Sequence, residues 1–133
     1  MAEGVNILIN DGGAPARIMK LGLAAADMDA GLFVTVNSSG KVSAADLHSQ
    51  QAGSTAVGIL FVDAVSGEPA SVITGSGLMC YLKGNDPIAA GVGVNHDGDG
   101  RAVTADTTDS EVLAVSLEAK DATHSGFTKV LLR

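Results

Sequence analysis

The sharpest grouping of chemically able side chains is Asn95-His96-Asp97-Gly98-Asp99-Gly100, followed by Asp106. Oxygen ligands at loop positions 1, 3 and 5, glycine at 6 and a carboxylate at 12 is the spacing of a calcium loop. Asn95, Asp97, Asp99 and Asp106 are therefore the calcium candidates. Against a cation stand the amide at position 1, the short Asp at position 12, and flanks patterned as strands in place of paired helices. A related turn, Asn37-Ser38-Ser39-Gly40, carries no carboxylate, and Asp-Gly pairs form tight turns by themselves. The solvated turn is the preferred reading, and no metal is expected.

No other grouping builds a reactive centre. His48, His96 and His124 lie apart and lack the helical spacing of zinc hydrolases. Cys80 is the single cysteine, which excludes an internal disulfide and a paired-cysteine zinc site. Its setting, Leu78-Met79-Cys80-Tyr81-Leu82, reads as a buried thiol. No serine occupies a G-x-S-x-G elbow, and Gly75-Ser76-Gly77 reads as a hairpin turn. Gly91 and Gly93 are not continued into a dinucleotide fingerprint. The acidic pairs Asp27/Asp29, Asp97/Asp99 and Asp106/Asp109 fall in loop-like sequence, where solvated acids are the ordinary case. No catalytic residue and no cofactor follow from the motifs, so the chain reads as something other than an enzyme.

The elements that must carry these residues are constrained by composition. A chain of 133 residues makes one compact domain. Hydrophobic residues are 46 %, but aromatics only 3 %, and there are 17 glycines. That mix argues against a helical bundle, which needs long Leu-rich stripes and few glycines, and against aromatic platforms for single-stranded nucleic acid. A formal charge of −7 with scattered basic residues disfavours phosphate backbones and anionic membrane surfaces. Met1-Ala2-Glu3-Gly4-Val5-Asn6 has no leader pattern, and no apolar run reaches 18 residues, so a soluble product is expected.

Strand-like segments occur at 5–9, 16–21, 32–36, 41–42, 57–62, 70–74, 77–82, 91–95, 101–104, 112–119 and 127–132. A helical turn is expected over 24–30, stopped by Gly31, and a short helix from Ser43 to Gly53, opened by a capping-box-like Ser-Ala-Ala-Asp. Setting residues 31–46 over 91–106 at an offset of sixty aligns Gly31/Gly91, Val34/Val94, Gly40/Gly100, Ala45/Ala105 and Asp46/Asp106. The segment 57–62 then matches 113–118, and Val72-Ile73 matches Val130-Leu131. The fold class expected is mainly β: a small β-barrel or β-sandwich with an internal pseudo-repeat and one or two short helices. Residues 1–15 form an N-terminal arm and 16–133 a single β domain, with pseudo-repeats at about 31–74 and 91–132. Val5, Ile7 and Ile9 would let the arm add to another protein's sheet edge. The other possibility is pairing within its own domain.

The order of elements over roughly residues 16–132 resembles the small capsid decoration, or cement, proteins of tailed bacteriophages. The residues that carry the likeness are Asp29-Ala30-Gly31-Leu32-Phe33-Val34-Thr35-Val36, Ala56-Val57-Gly58-Ile59-Leu60, Ala89-Ala90-Gly91-Val92-Gly93-Val94 with Asp97-Gly98-Asp99-Gly100, and Val112 to Ala119. The Ser43–Gly53 stretch departs from the shortest members. The resemblance implies a structural virion protein, usually a homotrimer, made in the host cytoplasm and seated on the outer capsid surface. There it would bridge major capsid subunits and stabilise the shell. Val5, Ile7 and Ile9 then become the capsid-contact candidates, and nucleic acid and membrane are not expected partners. The alternative is a carbohydrate- or receptor-binding β-module of a virion fibre or surface appendage. Sugar sites favour an exposed aromatic, whereas Phe33, Phe61, Tyr81 and Phe127 all sit in apolar strand contexts.

Overall fold

The computed structural model describes residue 7 and residues 17–45, 56–75, 77–84, 87–97, 99–105, 112–120 and 126–132. Ten strands follow one another: β1 (Arg17–Leu23), β2 (Phe33–Val36), β3 (Val42–Ala44), β4 (Gly58–Leu60), β5 (Pro69–Thr74), β6 (Met79–Lys83), β7 (Gly93–His96), β8 (Ala102–Thr104), β9 (Ala114–Ser116) and β10 (Phe127–Leu132). They form two five-stranded antiparallel sheets, ordered β1-β5-β4-β2-β3 and β6-β10-β9-β7-β8. The second order is the first shifted by five strands, so each strand of one half has a counterpart in the other. Registers match as well: Ile59 pairs with Ile73 as Val115 pairs with Leu131. The bridges that close the loops correspond too, Met28 to Ala64 and Ile88 to Lys120.

Both sheets keep free edges, so the barrel alternative gives way to a sandwich-like pair of layers. The first sheet curls until β1 touches β3 at one parallel bridge, Ala24 to Val42, which stops short of closure. The described residues contain no helix. Over 24–30 the chain instead makes sheet-like bonds: Ala25 N–H donates to Val42 O, and Met28 exchanges bonds with Ala64. Seven residues rich in alanine cannot offset the cost of nucleating a helix when tertiary partners compete for the same amides. Of the other expected helix, Ser43 and Ala44 lie in β3, and residues 46–53 lie outside the described residues.

Two clusters make the core. One joins the sheets and takes Phe33, Ile59 and Ile73 from the first with Cys80, Val130 and Leu132 from the second, and Leu78 just before β6. The other lies within the first sheet's curl and takes Val34, Leu60 and Val72 with Ala24, Met28 and Leu32. Adjacent residues of a strand point to opposite faces, so β2, β4 and β5 are buried on both sides. This explains the adjacent apolar pairs Phe33-Val34, Ile59-Leu60 and Val72-Ile73, where one-sided burial would alternate. Each fully buried Val, Ile or Leu contributes about 1.5–3 kcal/mol relative to exposure.

Candidate functional site

The expected calcium loop is a hairpin turn between β7 and β8. Asp97 Oδ1 accepts the amides of Asp99 at 2.8 Å and Arg101 at 3.2 Å. The β2–β3 turn does the same with an amide oxygen: Asn37 Oδ1 accepts from Ser39 at 2.9 Å and Lys41 at 3.1 Å. Asp97 thus occupies a turn-forming role that needs an oxygen and no charge. Asn95 is buried, its Oδ1 accepting the His96 amide. Asp99 lies 3.7 Å from Arg101 Nη1, and Asp106 lies outside the described residues. Among the described residues no group of three or more His, Cys, Asp or Glu is placed to hold a metal ion. Asp97→Asn is expected to leave the melting temperature nearly unchanged, whereas Asp97→Ala lowers stability by about 1 kcal/mol by removing both bonds. Millimolar calcium should move neither curve, and a calcium-dependent rise that Asp97→Asn abolishes would reverse the assignment.

The remaining chemical candidates are equally engaged. His96 is buried edge-on to Phe33, ring centroids 6.4 Å apart, and His48 and His124 lie outside the described residues. Burial pushes the Cys80 thiol up to about 11, so at pH 8 only about one molecule in a thousand carries the reactive thiolate. Cys80 is therefore expected to resist maleimide for hours in the folded protein and to react stoichiometrically once guanidinium unfolds it.

An open groove of about 490 Å³ collects Asp27, Asp29 and Asp63 with Ser43 and Arg101. Its carboxylates hold loops: Asp27 Oδ1 accepts from Ser66 N–H, Asp63 Oδ1 accepts from Ala30 N–H, and Asp29 pairs with Lys83. Slight burial raises the Asp63 carboxyl, but hydrogen bonds, including that from Ala30, and the Lys83 charge outweigh it and leave it below its ordinary value. Among the described residues that line the groove there is no histidine or cysteine.

What remains is surface. Ile7 of the N-terminal arm is buried in the inter-sheet core, and its carbonyl accepts the Tyr81 amide on edge strand β6. In the isolated chain Ile7 thus packs on its own domain, while Val5 and Ile9 lie outside the described residues. Phe61, Tyr81 and Phe127 are half-buried against the same core, and Phe33 is inside it. The exposed apolar side chains include Ile18 and Met19 on β1, Val36 on β2 and Leu131 on β10. Composition does not reveal these, because the same residue types fill the core. No described helix is long and apolar enough to cross a membrane.

Fold and site together define a duplicated, sandwich-like β-module with exposed apolar side chains on β1, β2 and β10. A solved structure of the same class is the N base of head fiber gp8.5 in bacteriophage phi29. The likeness has a TM-score of 0.62 and covers 90 % of this chain and 93 % of that one, at 15 % sequence identity. At that identity the likeness is one of fold. No family model matches the chain, and no curated protein matches it either.

Proposed function

We propose that the chain is a structural virion protein of a tailed bacteriophage, seated on the outer surface of the head. There it stabilises the shell by bridging major capsid subunits. The observation that supports this most is the fold shared over 90 % of the chain with the phi29 head fiber base. Small weak contacts suffice for such a role when an oligomer, a trimer in the favoured reading, engages several capsid subunits at once. In this reading the chain is not an enzyme, takes no cofactor, and binds neither nucleic acid nor membrane.

The same likeness favours a second reading, in which the module is the base of a fibre or other surface appendage. The half-buried Phe61, Tyr81 and Phe127 suit protein contact better than a sugar platform in that case. The deciding experiment incubates purified protein with expanded, undecorated heads and follows co-sedimentation and the heat resistance of the shell. Binding with raised resistance supports bridging, and binding without it supports the appendage base. No binding at micromolar concentration overturns both, and a glycan-array signal would promote the carbohydrate-binding form of the second.

A further inference from the structure

The two halves of the chain are stacked in tandem. Phe33, Ile59 and Ile73 share one face of the first sheet, as their register shows. That face packs on the side of the second sheet that carries Cys80, Val130 and Leu132. The Phe33–His96 ring contact and the bond from Phe33 N–H to Gly100 O cross the same junction. Under strand equivalence, the packed face of the first sheet corresponds to the opposite, outer face of the second. The halves are therefore arranged head to tail, which leaves the rim of the first sheet's filled curl and the outer face of the second sheet without the contact that their counterparts make.

Equivalent positions show this directly. Met19 opposes Val72 as Cys80 opposes Val130, so Met19 is the counterpart of Cys80. Val36 opposes Val42 as His96 opposes Ala102, so Val36 is the counterpart of His96. Cys80 and His96 are both 0 % exposed, whereas Met19 is 45 % and Val36 41 % exposed. At the other end, Ile73 is 0 % exposed and its counterpart Leu131 is 37 % exposed. The positions that differ are those buried at the inter-sheet junction. Strand β1 is an edge strand of seven residues with Ile18 and Met19 exposed on opposite faces; Arg17, Lys20 and the bulge between Lys20 and Gly22 guard its edge against open-ended strand pairing, which leaves its faces for contact.

We infer that a second copy of this chain covers these positions, the outer face of β6, β9 and β10 in one copy seating on the Met19–Val36 rim of the next. The contact repeats between chains the junction that already exists within each chain. It is heterologous, so it closes into a ring where the rotation allows and otherwise extends. The inference concerns the free chain and stands or falls separately from capsid attachment.

The test uses Met19→Cys and Leu131→Cys chains and a short bis-maleimide linker, with buried Cys80 as an unreactive background. Cross-linked species are expected when the two chains are mixed, and little from either chain alone. Met19→Asp or Leu131→Asp should weaken self-association at least about tenfold, since each places a charge in a desolvated contact, while leaving the unfolding curve of the monomer intact. A monomeric mass by light scattering at 100 micromolar overturns the inference. So does cross-linking confined to like chains, which would mean a two-fold contact.

Discussion

Gly58→Ala is expected to lower the melting temperature by about 10 °C, equivalent to a loss of about 3 kcal/mol. A Cβ at Gly58 would press against the Ile73 carbonyl of β5 closer than real Cβ atoms approach, and would lie 2.7 Å from Val72 Cγ1. The first obstacle is backbone, held in the ladder by the pairing of Ile59 with Ile73 and Leu60 with Val72. Relief would require shifting β5, whose Val72 and Ile73 serve the two cores. Thermal unfolding by circular dichroism measures the effect. The second half supplies a control, since it carries Ala114 at the equivalent place, fully buried. A Gly58→Ala protein that melts with the parent would mean that β5 yields freely and the two-sided core is looser than described.

Ile73→Ala and Leu131→Ala form the second prediction, an identical truncation class at equivalent positions with unequal outcomes. Ile73 is 0 % exposed between the sheets, so its removal leaves a cavity in packed surroundings and costs roughly 3–4 kcal/mol. Leu131 is 37 % exposed, and its truncation is expected to cost the isolated monomer less than about 1 kcal/mol. Urea unfolding monitored by near-ultraviolet circular dichroism at low protein concentration separates the two. Equal costs would contradict the tandem stacking. At high concentration Leu131→Ala should instead reduce association.

Much of this architecture is legible along the chain. The expected strand at 127–132 coincides with β10, and the alignment at offset sixty brings Phe33–Val36 onto β7 and Val42–Ala44 onto β8. Asn37 over Asp97 foretells the shared turn chemistry, because either side chain offers the oxygen the turn needs. Strand 112–119 is found only as Ala114–Ser116, the usual fate of boundaries set by a few pairing bonds. The helix over 24–30 fails because amides there bond to residues between 17 and 44 positions away, which no local pattern contains. The surface is the least legible part. Met19 and Cys80, or Ile73 and Leu131, are apolar alike, and only the stacking of one half on the other decides which is covered.

The bond from Tyr81 to the Ile7 carbonyl has a consequence for how the molecule is made. During synthesis Ile7 leaves the ribosome long before β6 exists, so its place in the core stays vacant until the second half emerges. The first sheet's Phe33 and Ile59 wait for the same material. Contacts of such wide sequence separation slow folding, and apolar strands exposed meanwhile invite aggregation. A nascent first half is thus the hazardous interval in the life of this protein, and its maturation should be governed by the arrival of β6 and β10.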